Sequence, residues 1–309
     1  MSSLRVVFAG TGTFAATVLQ VLVTHANVVA VITQPSRRKD TNGKILPNPV
    51  TELAQRSNIA ILDPERIRTI VSDLETIAPD VLIVADYGQI IPDTILNIPR
   101  KGALNLHPSL LPKYRGATPI ESAILAGDNT TGVTLMVMDS EMDHGAIVAQ
   151  TSNPLSANET APELEAKLAF SAAKLLINNL ENYLQDKIVA KEQNHNDATY
   201  TAMLTKESGF VSEKHTVLQV LRMHRALQPW PGIWSKVLLG GKEKRIKFLN
   251  IKKWNGELAQ QKINQLFHLE NRLGFKLSDG AVQIVEAQIE SGKPQTAKDL
   301  INGYRIASS

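Results

Sequence analysis

Continuous apolar runs alternate with helix-type patterns along the first 184 residues of the chain. The runs are short and lack polar alternation, which is typical of strands buried on both faces of a parallel sheet. The predicted strands are Leu4–Ala9, Val28–Thr33, Ile59–Leu62, Val81–Ala85, Leu104–His107, Val133–Met138 and, as an outer strand, Ala146–Pro154. Between them apolar residues recur at helical spacing, as over Glu65–Ile77 and over the long segment Thr160–Leu184. The pattern predicts a doubly wound, Rossmann-like α/β sheet.

The C-terminal third of the chain has a different pattern, in which short strand-like segments are separated by turn signals. These segments are Ile233–Leu239, Lys244–Lys253, Gly274–Ser278 and Ala281–Ala287. Such spacing is typical of a small β-barrel, here of the OB-like kind. A chain of 309 residues with 43% hydrophobic content is long enough for two cores. We therefore predict one domain over residues 1–186, a polar linker over 187–205 and a second domain over 206–309.

Polar side chains interrupt the apolar strand that begins at Leu104. Asn105 and His107 are two residues apart, so both side chains lie on the same face of the strand. Pro108 and Pro112 are incompatible with a continuing central strand, so the chain is expected to turn where these side chains emerge.

A second apolar strand, Val133–Met138, leads into an acidic segment that contains Asp143. In a parallel sheet, ligands bind at the carboxyl ends of the strands. If the two strands are neighbours, Asn105, His107 and Asp143 converge into an acid/base cluster suited to acyl-type chemistry. A single histidine on a strand is more often structural than catalytic, so this prediction depends on the whole ordered motif.

The string Asn105-Leu106-His107-Pro108-Ser109-Leu110-Leu111-Pro112, followed by Asp143 in a glycine-containing loop, resembles the signature of the formyltransferase family. The resemblance extends to the second predicted domain, through Arg225-Ala226-Leu227-Gln228-Pro229 and the segment from Gly292 to Gly303. It implies a formyltransferase catalytic domain followed by a tRNA-binding domain. The activity implied is transfer of the formyl group of 10-formyltetrahydrofolate to the amino group of methionyl initiator tRNA, for translation initiation, with tetrahydrofolate as the other product and no metal.

The resemblance assigns the catalytic roles to Asn105, His107 and Asp143. When the amine attacks the formyl carbon, negative charge builds on the formyl oxygen, and donors must already be in place for it. Asn105 is a permanent donor, and His107 is a donor when its nitrogen carries a proton. Asp143, near His107, favours the protonated imidazole and is expected to accept the proton that the amine loses, directly or through water.

Two segments are implied to bind the folate. Tyr87-Gly88-Gln89-Ile90 resembles the family segment whose backbone and apolar walls receive the pteridine ring. Ser109-Leu110-Leu111-Pro112 is expected to shape the folate channel, and its Leu111–Pro112 bond is a candidate cis peptide. Without the resemblance, the first segment is better interpreted as an ordinary strand-to-helix connection.

A polar loop over residues 33–50 lacks apolar periodicity, so we expect it to be exposed and mobile. Its position matches the basic loop with which family members that act on methionyl-tRNA are thought to meet the acceptor end, although the charges here lie earlier in the loop. The candidate tRNA-binding residues are Arg37, Arg38, Lys39 and Lys44. Residues 201–309 contain 17 Lys and Arg against 9 Asp and Glu, which also indicates a polyanionic partner or, equally well, a solvated basic face.

Composition excludes several classes of chemistry. There are no cysteines, which excludes disulfides, thiolate zinc sites and cysteine nucleophiles. The N-terminal residues lead straight into a strand and no apolar run reaches about 18 residues, so we expect neither a signal peptide nor a membrane span. The expectation is a cytoplasmic protein, working as a monomer.

Three alternatives stay open. The turn Gly10-Thr11-Gly12 after the first strand is found in nicotinamide-dependent oxidoreductases, but the second strand ends in Gln34-Pro35 with no acidic residue for a ribose hydroxyl. A non-catalytic RNA-binding protein would explain the basic C-terminal third, but not the motif around His107. Another folate-dependent formyltransferase, or a formyltetrahydrofolate hydrolase, would share the same catalytic core.

Overall fold

The computed structural model describes residues 4–37, 39–256, 258, 262–304 and 306–308. The chain divides into two compact units. The first contains the described residues up to Ile120 together with Asn129–Leu155 and Glu163–Ala202, and the second contains Glu121–Asp128, Ser156–Pro162 and the rest of the chain.

The first unit is built around a seven-stranded sheet. The elements up to residue 201 are, in chain order, β1 (Arg5–Ala9), α1 (Thr13–Leu22), β2 (Asn27–Ile32), α2 (Pro49–Arg56), β3 (Ala60–Leu62), a 3₁₀ turn (Ile67–Ile70), α3 (Val71–Ile77), β4 (Val81–Val84), α4 (Asp93–Leu96), β5 (Ala103–His107), β6 (Arg115–Gly116), α5 (Pro119–Ala126), β7 (Thr130–Val137), β8 (Ile147–Pro154), α6 (Ala161–Leu184), a 3₁₀ turn (His195–Asp197) and β9 (Tyr200–Thr201). The sheet order is β3-β2-β1-β4-β5-β7-β8. The first five strands in this order are parallel, and β7 and β8 are antiparallel to their neighbours.

Apolar side chains fill both faces of this sheet, as the uninterrupted apolar runs predict. Val7, Ala9 and Leu82 contribute to one core cluster together with residues of α3 and α4. Val6 and Phe8 point to the opposite face, because successive side chains alternate along a strand, and they are equally buried. The predicted Rossmann-like fold is confirmed.

The second unit contains an antiparallel sheet that curls in the manner of an OB-like domain. Its elements are α7 (Val217–Ala226), β10 (Ile233–Leu239), β11 (Lys242–Lys253), β12 (Leu266–Leu269), β13 (Arg272–Leu277), β14 (Gly280–Ile289), β15 (Pro294–Thr296), α8 (Ala297–Gly303) and β16 (Ala307–Ser308), with a 3₁₀ turn at Lys206–Gly209. The strand order is β10-β11-β14-β13-β12-β16, and β15 pairs with β14. Among the strand pairs of this sheet that the structure describes, only β12 and β16 run parallel. The predicted barrel-type domain is confirmed, although β12, β15, α8 and β16 had no predicted counterpart.

A buried carboxylate ties together the starts of β1 and β4. Asp80 is 3% exposed and accepts a hydrogen bond from the backbone N–H of Arg5 at 2.6 Å. It also pairs with the guanidinium of Arg100, whose Nε lies 2.7 Å from Oδ1. Burial opposes the charged carboxylate, but the Arg5 hydrogen bond and the contact with Arg100 outweigh it, so the pKa of Asp80 lies below its usual value.

We expect Asp80→Asn to lower the free energy of unfolding at pH 7 by about 1–3 kcal/mol, because hydrogen bonds to a charged group are replaced by neutral ones. The pKa of Asp80 is lower in the folded than in the unfolded protein, so the stabilisation is complete above the unfolded pKa, about 3.9, and is lost as the pH falls through the folded value. Urea titrations of the two proteins should therefore differ fully at pH 7; the difference should begin to shrink near pH 4 and disappear only below the folded pKa of Asp80.

The exposed Asp63 offers a matched control, and Asp63→Asn should leave stability unchanged at both pH values. If Asp80→Asn lowers the free energy of unfolding by the same amount at pH 7 and at pH 3, the cause is poorer packing and not the loss of the carboxylate charge.

Candidate active site

Strand β5 presents the two predicted polar side chains. Leu104 and Leu106 point into the sheet core and are buried, while Asn105 and His107 occupy the alternate face. In the sheet, Asn105 lies between Val84 of β4 and Met136 of β7. The position of both polar residues on one face of a central strand is therefore confirmed.

Asp143 reaches this face by a route that the sequence did not predict. Strands β5 and β7 are neighbours, as expected, but they are antiparallel, so His107 pairs with Thr134 and Leu104 pairs with Val137. The expectation that β7 delivers Asp143 at a shared carboxyl edge is wrong. The loop after β7 instead folds back over the face of the sheet and brings the carboxylate to the side chains of β5.

The three predicted catalytic side chains converge on one point, at distances just beyond a short hydrogen bond. Asp143 Oδ1 lies 3.5 Å from Asn105 Nδ2 and 3.6 Å from His107 Nδ1. The opposite sides of the same groups are held more closely: His107 Nε2 lies 2.9 Å from the carbonyl oxygen of Tyr114, and the backbone N–H of Gly116 donates to Asp143 Oδ2 at 2.7 Å. The protein thus holds His107 through Nε2 and Asp143 through Oδ2. His107 Nδ1 and Asp143 Oδ1, which face the common point, are the atoms that can act on a substrate.

The hydrogen-bond partners of His107 restrict its protonation. A carbonyl oxygen only accepts, so Nε2 must carry a hydrogen to bond to Tyr114. A proton on Nδ1, the nitrogen that faces Asp143, therefore makes the ring an imidazolium. The His107 side chain is 5% exposed and that of Asp143 is 14% exposed, so the two groups face each other largely away from bulk water.

The backbone around the site adopts conformations that need support. Asp143 has φ of 52° and Gly116 has φ of 109°, both in the left-handed region that side chains disfavour. A Cβ at Gly116 would lie only 2.7 Å from the carbonyl oxygen of Thr201. Position 116 therefore requires glycine, and the close approach lets its N–H reach the carboxylate of Asp143.

A buried polar cluster that the sequence analysis missed lies behind Asp143. Arg115 is 1% exposed and donates from Nε and Nη2 to Oε1 of Gln193, at 3.2 and 2.7 Å. It also contacts Nδ1 of His195 at 2.8 Å and the hydroxyl of Tyr200 at 3.3 Å. In turn the ring of His195 stacks on His144 at a centroid distance of 4.1 Å. Polar residues in unpatterned segments give no periodic signal, so only the fold reveals this cluster.

The predicted folate segment Ser109–Pro112 forms a tightly anchored turn after β5. Ser109 Oγ donates to the carbonyl oxygen of Lys113 at 2.6 Å, and Thr134 Oγ1 donates to the carbonyl oxygen of Ser109 at 2.7 Å. Gln150 donates to the carbonyl oxygen of Leu111 at 2.8 Å. The predicted cis peptide at Leu111–Pro112 is confirmed. Ser109 and Leu111 are buried, whereas Leu110 is partly exposed.

The second predicted folate segment, Tyr87–Ile90, follows β4. Tyr87 is 2% exposed, and burial raises the pKa of its hydroxyl to about 12. Gly88 has φ of 80°, and the side chain of Gln89 is directed to the backbone N–H of Ile67, at 3.0 Å. Ile90 is 91% exposed. Because β4 and β5 are parallel neighbours, both predicted folate segments lie at the same edge of the sheet.

The glycine turn after β1 is already in contact with an acidic side chain of the chain itself. A Cβ at Gly12 would lie 2.1 Å from Asp86 Oδ2, so this carboxylate lies against the N-terminus of α1. A dinucleotide pyrophosphate would have to approach the same helix terminus. The arrangement argues against the nicotinamide-dependent alternative.

The predicted tRNA-binding loop follows β2 and contains a local structure that the sequence did not predict. Lys39 and Ile45 form an antiparallel bridge, and Asp40 Oδ1 accepts hydrogen bonds from the backbone N–H groups of Asn42 and Lys44. Exposure of the loop is confirmed, since Arg37, Lys39 and Lys44 are exposed, but it contains a short hairpin. Arg37 Nη2 lies 3.7 Å from Glu65 Oε2. The candidate Arg38 lies outside the residues that the structure describes.

The basic run of the second unit lies on β11. Lys242, Lys252 and Lys253 are exposed, and Lys244, Arg245 and Lys247 line the same strand. Arg245 stacks over Trp234 of β10 at 4.0 Å. Trp254, at the end of this run, is 5% exposed and packs on Phe267, so it belongs to the core of the unit.

Two further properties of the described part of the chain bear on its chemistry. Within these residues, no group of three or more His, Asp or Glu side chains is arranged to hold a metal ion. In the same part of the chain, no helix combines the length and apolar character that crossing a membrane requires.

Family models match both halves of the chain. Residues 4–180 match the model for formyl transferase, and residues 203–305 match the model for the formyl transferase C-terminal domain. The chain belongs to the formyl transferase family.

Within this family, the chain is similar over nearly its whole length to curated relatives that share one name. The methionyl-tRNA formyltransferase of Marinobacter nauticus is 35% identical over 303 residues, which is 97% of this chain and 96% of the relative. The methionyl-tRNA formyltransferase of Caldicellulosiruptor saccharolyticus is 36% identical, with 97% of both chains covered. The similarity therefore extends over both units of this chain and over nearly the full length of each relative.

Solved structures share the fold at lower identity. The sugar 3N-formyl transferase WlaRD aligns with a TM-score of 0.65 and 20% identity, over 95% of this chain and 100% of that one. HypX from Aquifex aeolicus, solved in complex with tetrahydrofolic acid, aligns with a TM-score of 0.65 and 18% identity. This chain spans about half the length of HypX, since the alignment covers 49% of that protein.

Proposed function

We propose that this protein transfers the formyl group of 10-formyltetrahydrofolate to the amino group of methionyl initiator tRNA. The observation that carries the proposal is the convergence of Asn105, His107 and Asp143, each with one functional atom directed to a common point. Full-length similarity to methionyl-tRNA formyltransferases supports the choice of acceptor. We further propose that it works as a monomer in the cytoplasm, where charged tRNA is used.

The proposed chemistry follows from the positions of these atoms. The amino group of methionine attacks the formyl carbon, and Asn105 Nδ2 and the protonated His107 Nδ1 donate to the formyl oxygen as it gains negative charge. Asp143 Oδ1 accepts the proton that leaves the nitrogen. The bond between the formyl carbon and the folate nitrogen then breaks, the folate nitrogen takes up the proton, and tetrahydrofolate is released.

The folate is proposed to bind along the two segments at the carboxyl edge of the sheet. Tyr87-Gly88-Gln89-Ile90 would supply backbone groups and an apolar wall, and Ser109-Leu110-Leu111-Pro112 would line the other side. The positive φ of Gly88 leaves backbone groups without side-chain cover there, and the exposed Ile90 offers apolar surface. Both features suit a flat ring that carries donors and acceptors.

The tRNA is proposed to contact basic residues of both units. In the first unit, the candidates are Arg37, Arg38, Lys39 and Lys44. Asp40 joins the two ends of the hairpin through its hydrogen bonds, so the two lysines project from the same hairpin. In the second unit, residues 206–309 would bind the tRNA body through the exposed lysines of β11.

We expect the double variant Lys39→Ala/Lys44→Ala to raise the KM for methionyl-tRNA several-fold with little change in kcat, because phosphate contacts strengthen binding and take no part in the chemical step. The slope of log(kcat/KM) against log[salt] should also become shallower, by roughly 0.7 to 0.9 for each phosphate that a lysine no longer neutralises. Initial rates at several salt concentrations measure both effects.

Lys174 and Lys187, which are exposed elsewhere in the first unit, provide the matched control pair. If Lys174→Ala/Lys187→Ala changes the KM and the salt slope as much as the loop variant does, the effect reflects net charge, and the loop assignment is wrong.

A competition between acceptors tests the proposed function. The purified protein is supplied with 10-formyltetrahydrofolate and equal concentrations of methionyl initiator tRNA, glycinamide ribonucleotide and an amino-sugar nucleotide. Preferential formylation of the tRNA is expected. Preferential formylation of another acceptor, or folate turnover to formate, would assign the protein to another folate-dependent formyltransferase or a hydrolase.

A further inference from the structure

The segment that follows α6, predicted as a linker, is bound to the catalytic loops of the first unit. Lys191 forms a bridge with Ile147 at the start of β8. Farther along, the backbone N–H groups of Tyr114 and Arg115 donate to the hydroxyl and the carbonyl oxygen of Thr199, each at 2.8 Å. The segment therefore forms part of the wall of the site.

Gln193, within this segment, uses every hydrogen-bonding position of its amide. Nε2 donates to the carbonyl oxygen of Asp143 at 2.9 Å and to that of Gly145 at 2.8 Å. Oε1 accepts twice from Arg115. The side chain belongs to a residue only 5% exposed, so these bonds have little competition from water. The Gln193 amide therefore holds the loop at Asp143 and at Gly145, the two neighbours of His144.

These contacts complete a closed ring of hydrogen bonds around Asp143. The Arg115 side chain holds Gln193, Gln193 holds the Asp143 backbone, and the Asp143 carboxylate accepts from the backbone N–H of Gly116, the residue next to Arg115. Asp143 has φ of 52°, a conformation that non-glycine residues adopt only when their surroundings impose it. Gln193 supplies that constraint from the main-chain side.

Arg115 is a buried cation with an unusual set of partners. No acidic side chain of the described residues pairs with it, and its donors go to Gln193, His195 and Tyr200. A buried guanidinium must satisfy its donors, so it fixes the orientation of the Gln193 amide, with Oε1 toward Arg115 and Nε2 toward the loop. This orientation is the one that the two loop carbonyls need.

We propose that Gln193, oriented by Arg115, is a positioning residue that holds Asp143 in register with His107 and Asn105. Gln193 acts through the Asp143 backbone and does not itself contact the reacting atoms. The proposal rests on the proposed function in so far as its kinetic consequence is a slower formyl transfer.

Gln193→Glu is the sharpest test, because it keeps the shape of the side chain and gives Arg115 a carboxylate partner, so the fold is retained. The variant lacks the N–H donors and places an oxygen against the carbonyl oxygens of Asp143 and Gly145. We expect kcat for formylation of methionyl-tRNA to fall about 100-fold, the effect of a displacement of about 1 Å in a catalytic group. The KM values for tRNA and folate should change less than about threefold, because neither binding surface is altered.

Gln185→Glu, at the exposed end of the same segment of chain, is the matched control and should behave as the wild type. If the wild type itself formylates no tRNA, the proposed function is wrong, and the second measurement then tests the positioning role alone. That measurement follows the hydrogen exchange of the Gly116 backbone amide by NMR.

The exchange of the Gly116 amide hydrogen reports the position of Asp143, because Asp143 Oδ2 accepts that hydrogen at 2.7 Å. In Gln193→Glu, this amide hydrogen should exchange with solvent faster than in the wild type, because the carboxylate that accepts it moves away. A kcat within about twofold of the wild type together with unchanged exchange of the Gly116 amide hydrogen would overturn the proposal.

Discussion

Replacement of Asp143 by Asn is expected to lower kcat for formyl transfer by about 10²- to 10⁴-fold, the range that a positioned general base contributes. The substitution keeps the size of the side chain, and its amide oxygen still accepts the hydrogen bond from the Gly116 N–H. It removes the carboxylate that is placed at the convergence point to accept a proton from the attacking amine. Rates measured at saturating folate and tRNA isolate the chemical step from binding.

A second consequence concerns His107. With Asn at position 143, the ring loses the negative charge that lies 3.6 Å from its Nδ1. Glu141, exposed in the same loop, supplies the control, and Glu141→Gln should retain full activity. Turnover of Asp143→Asn within about threefold of the wild type would remove Asp143 from the catalytic role.

The second large effect is expected for Asn105→Asp. Loss of one donor to a developing oxyanion costs about 10²- to 10³-fold in kcat. The new carboxylate adds a further penalty, since it places negative charge beside the formyl oxygen and beside Asp143, 3.5 Å away. We therefore expect a loss of at least about 10³-fold, with folate binding largely retained, as followed by fluorescence titration with a stable folate analogue.

The matched control for this substitution is Asn178→Asp on the exposed face of α6, which adds the same charge away from the site. If Asn105→Asp lowers kcat by less than about tenfold while Asn178→Asp has no effect, the amide at position 105 does not act as the oxyanion donor.

The sheet of the first unit could be predicted because its strands are continuous apolar runs. Val81–Val84 and Ala103–His107 are short, buried and surrounded by polar turns, so pattern alone places them in the core. The direction of β7 could not be predicted in the same way. An apolar run has the same pattern in a parallel and an antiparallel sheet, and the loop that returns Asp143 to β5 has no periodic signal.

The sequence indicates the catalytic residues, but it does not indicate the buried residues that hold them in place. Asn105 and His107 are recognisable as polar residues on an apolar strand, and the motif around them is long. Arg115 and Gln193 are polar residues in polar surroundings, 78 positions apart in the chain, and only the fold shows that they are buried together. Gly116 is similar, because its need for a positive φ depends on the approach of Thr201.

In the basic loop, the side chain of Asp40 produces a structure that the polar sequence does not predict. As a polar stretch, residues 33–50 have no preferred structure, yet the side chain of Asp40 bonds to backbone N–H groups two and four residues farther on and forms a hairpin. Asx turns of this kind are local and common, but whether one forms depends on the flanking chain. Here the bridge between Lys39 and Ile45 completes it.

The most direct test of the proposed activity follows the formyl carbon itself. Wild-type protein is incubated with 10-formyltetrahydrofolate labelled with ¹³C in the formyl group and with methionyl initiator tRNA, and the products are analysed by mass spectrometry. We predict that the label appears as N-formylmethionine on the tRNA, in one-to-one ratio with the tetrahydrofolate released. Release of the label as formate, or its retention on the folate in the presence of charged tRNA, would contradict formyl transfer to methionyl-tRNA by this protein.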